Sequence, residues 1–351
     1  MHEILCAFAA TAEAVRYHWR MQPVRWGIIG CGDVTEVKSG PGFQKADGSS
    51  LVAVMRRDEA RARDYARRHN VPRAYGRADD LIGDAEVDAV YVATPPSTHL
   101  ELARRVAAAG KPCLVEKPMA RSHAECLEMI EAFHAARQPL WVAYYRRTLP
   151  RFVLVRDLLG QGAIGTVTSV HVQVSAPLTT GEDARAWRLN PAIAGAGLLF
   201  DLASHCVDLL DFLLGRIVDV CGFPINTGGA YAAEDVTAAS FQFESRVAGT
   251  GVWNFNAAGA TDALTFLGSA GELRTPIFSD TDVIVEGRGG RKVYEVRNPP
   301  HVHQPLIQTI VDELHGRGQC PSTGESGARA SWVLDQCVAR YYAPRDAIPN
   351  R

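Results

Sequence analysis

Two short segments carry side chains suited to proton transfer. Lys117 stands in "LVEKPM", at the end of a predicted strand. Asp201 and His205 lie four residues apart in "GAGLLFDLASHCVD", so a regular helix carries both on one face. A carboxylate beside an imidazole orients the ring and raises its pKa, which suits a general acid–base acting on a hydroxyl or carbonyl. Each feature taken alone is more typical of a surface lysine or a structural Asp–His pair.

A glycine-rich turn, "IIGCGDVTEVKSGPGF", follows the first apolar run. Gly30 permits a tight turn, and Gly32 lets a pyrophosphate approach the backbone. The helix that begins near Asp33 and Val34 presents free N–H groups to such an anion. This pattern predicts a dinucleotide site, and the alternative is an ordinary strand–turn–helix.

Two residues depart from the usual dinucleotide fingerprint. Thr35 occupies the third glycine position, which serves the packing of helix on strand rather than contact with the ligand. Pro41 shortens the helix but leaves its anion-binding end intact. We therefore expect an altered cofactor geometry within a functional site.

The cofactor type is predicted from "VMRRD" at the end of the second strand. An NAD site needs an acidic residue there for the ribose 2′-hydroxyl, whereas Arg56 and Arg57 suit a 2′-phosphate. Asp58 is expected to cap the next helix. NADP(H) is therefore favoured over NAD(H). The alternative is that both arginines begin a solvated, arginine-rich helix face.

The order of predicted elements indicates two different architectures. Apolar strands alternate with helices up to about residue 150, which predicts a doubly wound parallel sheet. Later segments such as "TVTSVHVQVSA", "AASFQFESRVAGTGVWNF" and "DVIVEGRGGRKVYEV" predict a large open, mostly antiparallel sheet, with Gly289-Gly290 as a hairpin turn. The fold class is α/β. We predict an N-terminal extension at 1–22, a nucleotide-binding domain at 23–143 and a substrate-binding and oligomerisation domain at 144–351.

Composition excludes several classes of protein. The 351 residues are 47% hydrophobic with a net charge of −2, so nothing indicates disorder, nucleic-acid binding or an anionic membrane partner. No apolar run reaches the roughly 20 residues that span a bilayer. Eight cysteines without a CxxC pair favour reduced thiols and a cytoplasmic location. His301 and His303 are interpreted as a loop before a helix, and no metal site is predicted.

Taken together, these motifs closely resemble the Gfo/Idh/MocA oxidoreductases, the family of glucose–fructose oxidoreductase and inositol dehydrogenase. The resemblance rests on GxG, "TPPSTH", "EKP", "YYRRTLP" and "WRLNP…GAGLLFDLASH", and it runs from about Val24 to near Tyr342. It implies a Rossmann domain followed by an α/β domain. It also implies that Lys117, Asp201 and His205 are catalytic.

The resemblance further implies a role for each site residue. His205 would exchange the hydroxyl proton, Lys117 would hydrogen-bond the same oxygen, and Asp201 would orient the substrate and these groups. Two further sets are carried over. Besides the glycine turn and the two arginines, the cofactor set includes Thr94, Pro95, His99, Glu116 and Lys117. The substrate set includes Arg147, Trp187 and Arg188, of which the Trp-Arg pair is similar to a 1,5-anhydro-D-fructose reductase branch. Tyr145 is expected to line the substrate pocket, and the alternative is a place in the aromatic core.

The expected activity is hydride transfer between a nicotinamide dinucleotide and a sugar, ketosugar or cyclic polyol. The resemblance implies a homodimer or homotetramer formed through the C-terminal sheet. Two alternatives stay open. One is a dehydrogenase or reductase of the same family acting on a non-sugar diol or carbonyl. The other is a dinucleotide-binding sensor without catalytic activity.

Overall fold

A parallel six-stranded sheet forms the N-terminal half of the protein. The computed structural model describes residues 22–342, so nearly all of the predicted extension at 1–22 lies outside the described residues. The strands are β1 (Val24–Ile29), β2 (Ser49–Met55), β3 (Arg73–Tyr75), β4 (Ala89–Val92), β5 (Cys113–Val115) and β6 (Leu140–Val142). Their spatial order is β3-β2-β1-β4-β5-β6, and all pairs are parallel. The predicted doubly wound sheet is confirmed.

Six helices accompany this sheet and define its ligand-binding edge. They are α1 (Asp33–Val37), α2 (Gly40–Lys45), α3 (Glu59–Arg68), α4 (Ala78–Ile82), α5 (His99–Ala108) and α6 (His123–Ala136). The strand order reverses between β1 and β4, which is where a crevice opens at the carboxyl ends of an open parallel sheet. The loops after β1 and β4 meet at this crevice.

An eight-stranded sheet forms the second half. Its strands are β7 (Val167–Ser175), β8 (Ile217–Ile225), β9 (Val236–Phe243), β10 (Ala248–Asn254), β11 (Thr261–Gly268), β12 (Gly271–Thr275), β13 (Val283–Gly287) and β14 (Gly290–Tyr294). The order is β14-β13-β12-β11-β7-β10-β9-β8, and every pair except β7–β10 is antiparallel. The mostly antiparallel sheet is confirmed. The hairpin turn is Arg288-Gly289 rather than Gly289-Gly290, because Gly290 already pairs with Gly287.

The helices of the second half are α7 (Pro150–Gly160), α8 (Pro191–Ala194), α9 (Ser204–Leu214), α10 (Gln304–Leu314) and α11 (Gly324–Tyr342). A π-helical turn, Leu199–Ala203, leads directly into α9. Among the described residues, the stretch Pro191–Leu214 is the one that is long and apolar enough to cross a membrane, and 72% of its apolar window is buried in the protein. The expectation that no apolar run reaches this length is therefore wrong, and the burial of this stretch identifies it as a core element.

Residues at the end of α10 and just after it form hydrogen bonds with β6 of the first sheet. These bonds connect the two halves of the chain. Trp141 Nε1 on β6 donates to Glu313 Oε2 at 3.2 Å. The hydroxyl of Ser322 donates to the carbonyl of Val142 at 2.7 Å. These contacts hold the C-terminal end of α10 and the segment that follows it against β6 of the parallel sheet.

A buried ion-pair cluster centres on Arg147. Its Nε donates to Asp208 Oδ1 at 2.9 Å, and its Nη2 donates to Asp211 Oδ1 at 2.9 Å. The Arg147 side chain is 5% exposed and that of Asp208 is 1% exposed. Arg329 of α11 also binds Asp211 at 2.7 Å. The cluster therefore joins the segment after β6, helix α9 and helix α11 in the core.

Loss of this arginine should destabilise the fold. Replacing Arg147 with Met leaves Asp208 buried without its counter-ion, which we expect to lower the free energy of unfolding by about 3–5 kcal/mol. Urea denaturation of both proteins measures this difference. The control is Arg156→Met, which removes a half-exposed pair with Asp157 and should cost about 1 kcal/mol or less. Equal effects of the two substitutions would contradict the assigned role of the cluster.

Candidate active site

A cleft of about 1070 Å³ lies at the carboxyl edge of the parallel sheet and is closed on its far side by the second half of the chain. The loops after β1, β2, β4 and β5 line one side of it. Most residues predicted from the sequence as site residues are on its wall: Gly30, Gly32, Asp33, Val34, Arg56, Arg57, Thr94, Pro95, Glu116, Lys117, Tyr145, Trp187, Arg188, Asp201 and His205. The cleft therefore joins the predicted cofactor and substrate residues in one space.

The glycine turn after β1 leaves the backbone open to a ligand. Gly30 has φ +95°, and a Cβ there would lie 2.8 Å from the carbonyl oxygen of Ala93. Such a conformation and contact favour glycine. At Gly32 the nearest atom to a Cβ would be 3.8 Å away, so a side chain would occupy free space above the start of α1. The residues present fit a group that binds against the backbone, as a dinucleotide pyrophosphate does.

Thr35 is accommodated by hydrogen bonds rather than by a glycine-like contact. It is fully buried, and its hydroxyl donates to the carbonyl of Gly32 at 2.7 Å. The hydroxyl of Tyr65 on α3 donates to the carbonyl of Thr35 at 2.8 Å. Pro41 lies in the first turn of α2, where its missing N–H removes no helical bond. The departures from the fingerprint thus leave the start of α1 open.

Four arginines line the cleft beyond the end of β2: Arg56, Arg57, Arg61 and Arg77. Arg56 Nη1 donates to the carbonyl of Cys31 at 3.3 Å, which holds the side chain beside the glycine turn. Asp58 accepts from the backbone N–H of Arg61 and caps α3, as its position in the sequence predicted. Arg77 was not predicted from the sequence, because it follows β3 and lies twenty residues after Arg57.

Lys117 and Asp201 form the contact that joins the two halves of the cleft. Lys117 Nζ donates to Asp201 Oδ1 at 2.5 Å and to the Asp201 backbone carbonyl at 2.9 Å. Arg188 Nε lies 3.3 Å from Asp201 Oδ2. Burial raises the pKa of Asp201, but the charges of Lys117 and Arg188 outweigh burial and hold the pKa below its usual value. Asp201 is therefore a carboxylate that holds two cations.

His205 does not pair with Asp201, which corrects the expectation of a carboxylate-oriented imidazole. Its Nδ1 is buried without a hydrogen-bond partner among the described residues. Burial, and then the positive charges of Arg146 and Lys117, lower the pKa of His205 well below 6.5, whereas the expected carboxylate contact would raise it. The physical reason is that Asp201 lies in the π-helical turn and binds Lys117 instead.

Several aromatic rings surround His205, and a second histidine lies among them. The ring of Tyr145 lies 5.3 Å from that of His205 and 4.4 Å from that of His303, which precedes α10. Burial, and then the charges of Lys38 and Lys117, lower the pKa of His303 to about 3. From the sequence, His303 was expected to lie in a loop before a helix and to have no role in the site. No local pattern marks it, because its partners lie more than 90 residues earlier in the chain.

Glu116 lies at the floor of the cleft and supports the lysine. Its Oε1 accepts from the hydroxyl of Tyr91 at 2.5 Å, and its Oε2 accepts from the backbone N–H of Lys117 at 2.9 Å. Burial raises the pKa of Glu116. Within residues 22–342, no cluster of three or more His, Cys, Asp or Glu side chains could hold a metal ion.

Two predicted site residues do not line the cleft. His99 is fully buried below it, with Nε2 2.7 Å from the carbonyl of Thr94 and Nδ1 3.1 Å from that of Met119. It therefore supports the loop that carries Thr94 and Pro95 instead of contacting the cofactor. Arg147, predicted to contact substrate, is held in the core by carboxylates, and Arg146 faces the cleft in its place. The doublet was assigned the wrong way round because sequence does not show which side chain turns inward.

Two family models match this chain. Residues 24–144 match the oxidoreductase family with an NAD-binding Rossmann fold, and residues 152–274 match the GFO/IDH/MocA C-terminal domain. The two matches correspond to the parallel sheet and to most of the antiparallel sheet. The predicted resemblance and the predicted NAD-binding Rossmann fold are therefore confirmed.

Individual relatives agree with the family models. "Oxidoreductase P35" of Formosa agariphila is 36% identical over 89% of this chain and 97% of its own length. The 1,5-anhydro-D-fructose reductase of Ensifer adhaerens is 26% identical over 88% of this chain and 93% of its own. The solved aldose-aldose oxidoreductase of Caulobacter crescentus shares the fold, with TM-score 0.82 and 24% identity over 93% of this chain and 99% of its own. The chain belongs to the Gfo/Idh/MocA family of NAD-binding oxidoreductases.

Proposed function

We propose that this protein is an NADP(H)-preferring oxidoreductase that interconverts a hydroxyl and a carbonyl group on a sugar, ketosugar or cyclic polyol. The observation that carries this proposal is a single cleft joining the glycine turn to Lys117, Asp201 and His205. The nicotinamide group supplies or accepts the hydride, which no side chain can do. The residues of the chain bind, orient and exchange the proton.

His205 is the proposed proton carrier. Its low pKa keeps the imidazole neutral at physiological pH, so a ring nitrogen can accept the hydroxyl proton when the substrate is oxidised. In reduction the same ring returns a proton to the carbonyl oxygen. The buried aromatic surroundings keep bulk water away from this step.

Lys117 is the proposed donor to the reacting oxygen. Its ammonium group has three N–H donors, and the side chain and backbone oxygens of Asp201 accept from it. One donor direction is left for the substrate oxygen, where it stabilises developing negative charge. Asp201 therefore acts by fixing the direction of Lys117.

The proposed preference for NADP(H) rests on the arginines near the end of β2. Arg56, Arg57 and Arg77 line the cleft there, and the first carboxylate after β2 in the sequence, Asp58, caps helix α3. A ribose 2′-phosphate matches guanidinium groups in charge and in geometry. The cofactor residues of the glycine turn, with Thr94 and Pro95 across the crevice, are proposed to hold the rest of the dinucleotide.

The proposed substrate class has two supports. Trp187 and Tyr145 contribute aromatic rings to a lining that also carries several polar groups, an arrangement that suits a hydroxyl-rich ring. The relative from Ensifer adhaerens is named as a reductase of an anhydro-sugar. A non-sugar diol belongs in the same substrate panel as the direct competitor.

We also propose that the protein forms a homo-oligomer and is located in the cytoplasm. Five large apolar side chains of the described residues are exposed on the second sheet: Val218, Phe223, Ile225, Val252 and Val293. Such a face supports a homodimer or homotetramer formed through this sheet. Seven cysteines of the described region are free thiols, which supports a cytoplasmic location.

The pH dependence of oxidation tests the role of His205. Because its pKa is lowered, the neutral base persists below pH 6.5, and kcat/KM should stay level from about pH 8 down to that value and fall only in stronger acid. His205→Gln should lower kcat/KM strongly and remove the acidic limb. A steady-state pH profile with NADP⁺ and the best substrate of the panel measures both. An acidic limb centred at or above pH 6.5 would contradict the assignment.

Cofactor discrimination tests the arginines. Arg56→Asp combined with Arg57→Ala should weaken NADPH binding by about tenfold or more and NADH binding far less, since only the 2′-phosphate loses its partners. Calorimetric titration of both cofactors gives the two dissociation constants. Arg63→Ala is the control, because this arginine of α3 pairs with Glu59. Equal losses for both cofactors would remove the argument for NADP(H).

A further inference from the structure

Arg146 is a buried cation that forms no ion pair with a carboxylate among residues 22–342. The residue is only 6% exposed, and its Nη1 has no hydrogen-bond partner in the described part of the chain. Its Nε donates to the carbonyl of Ile277 at 3.1 Å. Its neighbour Arg147 instead binds two carboxylates. A buried guanidinium with an unused donor is costly, so a ligand anion would stabilise it.

The position of Arg146 ties it to the reacting end of the cleft. Its guanidinium lies between the rings of Tyr145 and Phe278, at 4.9 Å and 4.7 Å from their centroids. Both rings also contact the ring of His205, at 5.3 Å and 6.2 Å. An anion on Arg146 is therefore next to the group that exchanges the proton.

The charges around this end leave a positive excess. Lys117 and Arg188 are both bound to Asp201, which is already shared between them. Glu116 accepts from Tyr91 and from a backbone N–H, and no ion pair links it to Arg146 within the described residues. Lys38 also lines the cleft. The aromatic faces offset part of the cost of the Arg146 charge but supply no negative charge.

We infer, on the basis of the proposed function, that the substrate is an acidic sugar or polyol whose carboxylate binds Arg146. The neighbouring hydroxyl or carbonyl then lies at His205 and Lys117. A uronate, an aldonate or a polyhydroxy acid has this combination of groups. Arg146 is a specificity-determining residue, and a neutral sugar would leave its guanidinium without an anionic partner.

A carboxylate fits this position better than a phosphate. Arg146 offers its terminal nitrogens alone, since Nε is used by Ile277, and a single planar monoanion matches one guanidinium. A phosphate carries up to two charges, and Lys117 and Arg188 are already bound to Asp201. Sugar phosphates are therefore the competing class in the test.

The test compares matched compounds on the NADP⁺-loaded, full-length protein. D-Glucuronate is paired with D-glucose, D-galactonate with galactitol, and D-glucose 6-phosphate is the phosphate arm. Calorimetry gives binding constants, and NADPH formation gives kcat/KM. The acid of each pair should bind about tenfold more tightly than its neutral partner. Tighter binding of the neutral partners or of the phosphate would overturn the inference.

Variants locate the effect at Arg146. Arg146→Met should abolish the preference for acids, measured as the ratio of kcat/KM for each acid to that for its neutral partner, and Arg146→Lys should restore part of it. Arg156→Met is the matched control for the loss of one positive charge at an exposed site. An equal loss for acids and neutral compounds in Arg146→Met would contradict a specificity role. The wild-type comparison decides the inference even if this variant does not fold.

Failure of this inference and failure of the proposed function give different results. If acids bind tightly through Arg146 but nothing is turned over, the carboxylate site stands and the proposed catalysis is wrong. If neutral sugars are turned over with no preference for acids, the proposed function stands and the carboxylate site is wrong.

Discussion

The ion pair between Lys117 and Asp201 is the interaction on which the site depends. The lysine follows β5 of the parallel sheet, and the aspartate lies in the π-helical turn before α9. Their contact joins the two halves of the chain at the crevice and orients the Lys117 ammonium group in the cleft. Because the Asp201 carboxylate binds Lys117, it does not pair with His205. Asp201 binds Lys117 and so does not offset the burial and the nearby cations that lower the pKa of His205. A lowered pKa favours the neutral ring that a proton acceptor needs.

Burial decides the charge of the other groups around this pair. His205 and His303 have lowered pKa values because water is excluded and cations are near. The two adjacent arginines have different surroundings. Arg147 forms ion pairs with carboxylates and stabilises the core, whereas Arg146 has a donor without a partner beside His205 in the cleft. The same low-polarity surroundings thus give a stability cluster on one side of α9 and a recognition site on the other.

Sequence patterns predicted the architecture because each half has its own periodicity. Alternating strands and helices identified the parallel sheet, and the glycine turn and "EKP" indicated its ligand-binding edge. Strands β3, β11 and β12 were missed, since short or weakly alternating segments have little signal. The direction of the Arg146–Arg147 doublet, the partner of Asp201 and the presence of His303 in the cleft depend on tertiary packing. Residues distant in the chain determine them, so local patterns could not.

The most direct test of the central claim is a single-turnover measurement on Lys117→Ala beside the wild-type protein, with NADPH binding followed in parallel. The account predicts that the hydride-transfer rate falls by about 10²–10³-fold, as for the loss of one oxyanion donor, while the dissociation constant for NADPH changes little. A transfer rate equal to that of the wild type would contradict it, because the lysine would then have no part in the chemistry.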